Sequence, residues 1–265
     1  MVMKKKFLVT FFLATTIQLA SAADIALQNL SKDEVNDLSN EFSANFSHTV
    51  VAAPETEGAF GVEVGLAAGL TTSDTFKKLI NEAGENGDDY GKLPHAGLIA
   101  RVHFAFDIFA ELNYLPSYDS DELSLESRSF AVGWNLGNFF SFPLDVAVGV
   151  NMSQSELSYQ QVISSVNTDV TFENSTRTLW VGVSKNVLFL TPYAKLGTIS
   201  NETDLKVDGS TTILDFTSST SYNATDSGMY LAAGLNVQLL AFRLGAEYSK
   251  INDINRMSAK LSIAF

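Results

Sequence analysis

The sequence predicts an all-β protein, a transmembrane antiparallel up-and-down β-barrel of about ten strands preceded by a short helical segment. Three observations predict it. Apolar residues recur at every second position in runs of about ten residues, the pattern of strands with one greasy and one polar face. Tight turns alternate with long polar connections along the chain. Beyond the N-terminal region no stretch reaches the roughly 18 uninterrupted apolar residues that a membrane helix needs, so any crossing of a bilayer is by strands.

Three regions divide the chain at residues 1–22, 23–57 and 58–265. Lys4, Lys5 and Lys6, an apolar run over residues 7–19 and Ala20-Ser21-Ala22 form a secretory signal peptide, which is excluded from the fold. In the second region Ser31 and Glu34 have the spacing of a capping box, and Val35, Leu38 and Phe42 mark one face of the helix that follows. Such a helix could lie in the periplasm or enter the barrel as a plug.

The third region holds the strands. Phe60, Val62, Val64, Leu66, Ala68 and Leu70 face outward on the first, over Gly61, Glu63 and Gly65. Leu98, Ala100, Val102 and Phe104 mark the second, and Ile108, Ala110, Leu112 and Tyr114 the third. Phe130, Val132, Trp134 and Leu136 mark the fourth; the fifth runs from Phe142 to Met152 with Asp145, Ala147, Gly149 and Asn151 inward. Leu179, Val181 and Val183 give the sixth, and Leu188, Leu190, Ala194 and Leu196 the seventh, where Pro192 removes one ladder donor. Met229 to Val237, Phe242 to Tyr248 and Met257 to Phe265 supply the last three. Short turns fall near Phe106, Asn138, Asn186 and Leu240, whereas residues 71–94, 115–122, 153–172, 200–227 and 251–256 form the opposite end. Thr168 to Arg177 and Thr211 to Phe216 could hide two more strands, making twelve, or extend their neighbours. Thr72 to Ala83 forms a second amphipathic stretch, with Phe76, Leu79 and Ile80 on one side.

In the final nine residues Met257, Ala259, Leu261, Ile263 and Phe265 share one parity. With the signal peptide, this tail resembles the terminal strand of bacterial outer-membrane β-barrels, a class that includes small barrels of the OmpA, OmpX and OmpW kinds. The resemblance implies a bacterial outer-membrane location, recognition of the tail by the barrel assembly machinery, and contact with membrane lipid and lipopolysaccharide. Tyr114, Trp134, Phe139, Phe140, Phe142, Phe242, Tyr248 and Phe265 fall near strand ends, as interfacial girdles require.

Composition narrows function. A formal net charge of −13, more negative once the signal's lysines are removed, argues against nucleic acid as a partner. The chain has no cysteine, which excludes disulfides and thiol chemistry. The inward set contains Glu63, Arg101, His103, Glu111, Asp145, Lys195, Arg243, Glu247 and Lys260, with acids and bases evenly matched. Such a set reads first as a self-satisfying network, because an unpaired ion in a narrow barrel is costly. Otherwise it lines a hydrated path. About eight strands leave an interior just filled by side chains, so ten lie near the closed end.

Of the three histidines, His48 precedes the barrel, His95 stands at a strand entrance and His103 faces inward, where it could approach Glu111. These positions match neither the acid pairs of omptin proteases nor the Asn, His and Ser set of outer-membrane phospholipases, so no catalytic residue is assigned. Glu85, Asp88 and Asp89, and Asp119, Asp121 and Glu122, are acidic clusters without the spacing of a calcium loop, so no metal or cofactor is expected. A structural or surface-interaction role comes first, transport of a small or hydrophobic solute second, and an enzyme third. On the wall, Gly149 is expected to accept serine far more easily than its neighbour Val148 accepts arginine.

Overall fold

The computed structural model describes residues 31–55, 60–82, 87–119, 123–137, 143–163, 166–211 and 216–265. The signal peptide, Glu85, Asp121, Glu122, Phe139, Phe140, Phe142 and the turn at Asn138 lie outside them. Helix α1 (Lys32–Phe46) comes first, then β1 (Gly61–Thr72), α2 (Asp74–Glu82), β2 (Lys92–Phe104), β3 (Ile108–Asp119), β4 (Leu123–Asn135), β5 (Asp145–Ile163), β6 (Val166–Ser184), β7 (Leu190–Thr211), β8 (Phe216–Leu239), β9 (Phe242–Ile251) and β10 (Ile254–Ala264). The ten strands form a closed barrel in which each pairs antiparallel with its sequence neighbours and β1 pairs with β10. At the closing seam Val62 and Phe265 exchange backbone hydrogen bonds of 2.9 Å, so the terminal residue is tied into the wall.

Ten strands suffice because the two long polar segments are hairpin extensions. Thr168 to Arg177 lies inside β6, Thr211 ends β7 and Phe216 begins β8. The β5–β6 ladder runs unbroken from Asp145↔Ser184 to Ile163↔Val166. The fifth strand starts at Asp145, later than its apolar pattern suggests, because Gly137 N–H turns back onto Asn135 Oδ1 at 2.8 Å and takes the chain out of the ladder. Pro192 sits where its missing donor costs least: its carbonyl accepts from Lys185 N–H just past Ser184↔Tyr193, the last registered pair with β6, and only the return bond to Lys185 is forgone. Residues 251–256 contain a two-residue turn, with Asn252 and Asp253 both at positive φ as a type I′ hairpin requires. The other connections at this end are longer hairpins, whereas residues 105–107, 136–144, 185–189 and 240–241 close the opposite, short-turn end, where β1 begins and β10 stops.

One feature of the wall is a reversal of polarity along single strands. Near the short turns the outward parity is apolar and exposed, as at Val148, Val150 and Met152 of β5, Leu179, Val181 and Val183 of β6, and Met229, Leu231 and Leu235 of β8. Toward the long hairpins the same parity becomes Gln154 and Glu156 on β5, Arg177 and Glu173 on β6, and Glu202, Asp204 and Lys206 on β7. The inward parity changes the other way, from Asn151, Thr178 and Lys195 to Leu157, Phe172, Leu205 and Val207. Exterior polar pairs, Arg128 with Gln154 and Lys206 with Glu173, occupy the far half. One half of the cylinder is therefore greasy outside and polar inside, and the other is built like a water-soluble protein.

The inward glycines make room for aromatics of adjacent strands. Phe109 lies over Gly133, Trp180 over Gly149 and Tyr193 over Gly234, each so close that a Cβ would collide with the ring. The expected tolerance of Gly149 toward serine is thus overturned. Trp180 is buried and donates from Nε1 to Asn151 Oδ1 at 2.9 Å, so it has no free direction to yield. Gly149→Ala is expected to destabilise the barrel by about 1–3 kcal/mol through overpacking, read as a lowered unfolding midpoint in denaturant.

Candidate functional site

The lumen is occupied by the chain's own N-terminal segment. Ser31 caps α1 through a complete capping box: its side chain accepts from Glu34 N–H and its backbone N–H donates to the Glu34 carboxylate. Val35, Leu38 and Phe42 then pack inside the barrel at the long-hairpin end, against Phe76, Leu79 and Ile80 of α2 and Leu93, Leu125, Leu157, Phe172 and Leu205 of the wall. The Phe42 ring lies 4.6 Å from that of Phe172 and meets Phe76 edge-on. Burying each such side chain contributes roughly 1.5–3 kcal/mol, which fixes the helix in place.

Below this apolar layer the contacts turn polar. Ser39 Oγ–H donates to Thr203 Oγ1 at 2.6 Å, and Ser43 Oγ accepts from the side-chain amides of Asn174 and Asn201 at 2.6 and 3.0 Å. After α1 the chain crosses the barrel without regular structure, so its backbone groups need partners from the wall. Asn113 donates to the Thr49 carbonyl, Arg101 Nη1 to Ala53 at 2.9 Å, and Asn135 and Ser184 to Pro54 at 3.2 and 3.0 Å. Thr191 reaches Glu55 at 3.2 Å beside the short turns. Residues 31–55 therefore run from the long-hairpin end to the short-turn end, and the luminal alternative for this segment is the one realised.

Helix ends are completed from outside each helix. The last carbonyls of a helix lack intrahelical donors and carry the negative end of its dipole. Arg256 of β10, fully buried, answers both needs: Nη1 donates to Ala44 O at 3.0 Å, Ser47 O at 3.1 Å and Ser47 Oγ at 2.6 Å, and Nε donates to Ser249 Oγ at 3.1 Å. At the N-terminus of α2 the charge is reversed. Glu41 of α1 accepts from Ser73 Oγ–H at 2.6 Å, Thr75 N–H at 2.6 Å and Phe76 N–H at 3.1 Å. A second tie joins the helices at the rim, where Lys78 Nζ lies 2.9 Å from Glu34. That ammonium, assisted by Ser31, holds the Glu34 carboxyl down from 4.5 to about 2.

The charged residues picked from the sequence all lie on the inner face, and seven of the nine sort into three groups. Glu63 is clamped by Lys260 at 2.6 Å and Arg243 at 3.1 Å. Glu111 is shared by Arg101 at 3.4 Å and His48 at 3.0 Å, and the Arg101 guanidinium also stacks 4.4 Å over the Phe109 ring. Lys195 lies 3.9 Å from Glu247, which accepts from Tyr193 OH at 2.9 Å, and sits 5.2 Å above the Trp180 and Tyr193 rings. Asp145 is at the short-turn end beside Asn135, 3.5 Å away. His103 packs against Phe109 and does not meet Glu111; that place is taken by His48, which the sequence places ahead of the barrel and the fold brings inside it. Met257, Ala259, Leu261, Ile263 and Phe265 all face outward.

His48 also accepts or donates through Nδ1 at 2.8 Å from Ser129 Oγ, so a hydroxyl, an imidazole and a carboxylate stand in series. All three are buried, Glu111 is already neutralised by Arg101, and the broad cleft of about 740 Å³ at the long-hairpin end does not reach Ser129. The series holds the plug to β3 and β4. Missing from the sequence reading were Arg256, Glu41, Ser43, Asn174 and Asn201. Arg256 shares the parity of Ser258 and Lys260, so extending the last strand by one step would have found it. Asn174 and Asn201 share the inward parity of Thr178 and Lys195 in segments that read as polar connections.

The chain belongs to the DUF6588 family of unknown function, whose sequence profile matches residues 31–265. No functionally curated protein matches it. Among solved structures it is similar to the translocator domain of the autotransporter NalP from Neisseria meningitidis, at 9% identity and a TM-score of 0.45, covering 95% of this chain and 98% of that one. Ail, the attachment invasion locus protein of Yersinia pestis, gives 12% identity and a TM-score of 0.30 over 78% of this chain and 97% of that one. The N-terminal β-barrel domain of Pseudomonas aeruginosa OprF gives 11% and 0.26, over 77% and 97%.

Replacing Arg256 by methionine removes the charged donor from the carbonyls of Ala44 and Ser47, which keep only the hydroxyls of Ser47 and Thr49. The expected loss is about 3 kcal/mol or more, from at least two charge-assisted hydrogen bonds. Hydrogen exchange should accelerate first at residues 44–50, with Arg256→Lys recovering part of the protection.

Proposed function

We propose that this DUF6588 chain is a bacterial outer-membrane β-barrel sealed by its own N-terminal segment, serving a structural or surface-interaction role rather than conduction or catalysis. The observation that carries the reading is the unbroken series of luminal contacts from Val35 to Glu55, which leaves the charged groups facing protein instead of a water path. The membrane assignment rests on the polarity reversal. The apolar outward stripe runs from Phe60 to Leu70 along β1, from Leu144 to Met152 along β5, from Met229 to Leu239 on β8 and from Met257 to Phe265 at the C-terminus, which matches the 9–11 residues a tilted strand needs to cross hydrocarbon. Phe60, Phe106, Trp134, Phe189, Phe242 and Phe265 flank it on the short-turn side and Tyr114 and Tyr248 on the other, as interfacial girdles do.

Short turns then face the periplasm and long hairpins the exterior. The apolar stripe meets lipid, the charged outer half stands among lipopolysaccharide headgroups, and the exposed terminal strand is what the assembly machinery would read. No solute or cofactor is assigned. Ser129, His48 and Glu111 are given a positioning role, because a nucleophile must be reachable by its substrate.

Two measurements test the reading. Val148→Arg, a cation in the middle of the stripe, is expected to cost about 2–4 kcal/mol of folding stability in lipid vesicles, whereas Glu156→Arg, on the same parity but beyond the stripe and between Glu126 and Glu173, should be nearly neutral. Equal effects would place the boundary wrongly. The intact chain in planar bilayers is expected to pass no steady ion current; a stable conductance that falls on Arg101→Gln would transfer the assignment to transport.

A further inference from the structure

We infer that residues 31–55 enter the lumen from the outer face, so that the start of α1 is presented to the exterior. The inference rests on the membrane reading above and follows from the direction of residues 31–55. Ser31 and Glu34 are held at the long-hairpin end by Lys78 of α2, which lies in the connection between β1 and β2. Glu55 is held at the short-turn end by Thr191, and β1 starts there at Gly61. The wall therefore begins only after the chain has passed inward through its own barrel.

Length fits a single crossing. The fifteen residues of α1 cover about 22 Å, and the nine that follow add up to about 30 Å in extended form, enough to pass from one end of the barrel to the other. Lys32 and Asp33 are exposed, so the start of the helix is open to the same side as the long hairpins. The start of α1 is thereby an outward-facing end anchored by a buried stem.

The absence of native cysteine makes the topology directly readable. Single-cysteine variants of the full-length chain, Asp33→Cys at the start of α1, Asp208→Cys near the tip of the β7–β8 hairpin and Asn186→Cys in a short turn, are treated with a membrane-impermeant maleimide on intact Gram-negative cells and again after permeabilisation. Lys32→Cys serves as a second probe of the helix start. The expected result is labelling of Asp33→Cys, Lys32→Cys and Asp208→Cys on intact cells, and of Asn186→Cys only after permeabilisation. Labelling of Asp208→Cys on intact cells with both helix probes dark overturns this inference and leaves the membrane reading standing. Labelling of Asn186→Cys in place of Asp208→Cys, or of no variant before permeabilisation, overturns both.

Discussion

A cylinder of ten strands encloses more room than its own wall side chains fill, and the rest of this structure depends on how that space is closed. Here a segment of the same chain fills it, apolar where the helix meets the outer half and polar where the backbone runs unpaired through the inner half. An extended segment buried without partners would leave a donor and an acceptor at every residue, each costing about 1–3 kcal/mol. The inward asparagines, serines and arginines are the answer to that cost. They read as a pore lining only until the segment they serve is in place.

The same logic explains the charges. Glu63 with Lys260 and Arg243, and Glu111 with Arg101 and His48, are ions held by more than one partner, the condition under which burial is tolerated. Arg256 is the exception in kind, since it donates to carbonyls and hydroxyls rather than to a carboxylate. A helix C-terminus supplies the compensating negative potential. Plug and wall are thereby joined electrostatically at the point where α1 ends.

The outer half of the barrel follows a different solvent. Once the outward parity turns polar, the inward parity of the same strands turns apolar and encloses α1 and α2 as a small core. Glu41 and Glu34 bind the two helices to each other across this core, so the connection after β1 is part of the plug assembly rather than a free loop.

Alternation by itself indicated about ten strands, the facing of their apolar halves and the inner set of charges, because the period of two is a local property of an extended backbone and needs no partner to be read. That the count is ten and not twelve was decided by the ladders that carry β5 to β8 through the polar segments. The capping box at Ser31 and the apolar face of α1 were local as well. The location of that helix was not, since the same amphipathic face would suit a periplasmic helix or a plug. Nor could the sequence show that Gly149 makes way for Trp180 or that His48 takes the place beside Glu111. Those pairings join residues separated by 31 and 63 positions: the first needs the register of the β5–β6 hairpin, and the second needs the N-terminal segment inside the barrel.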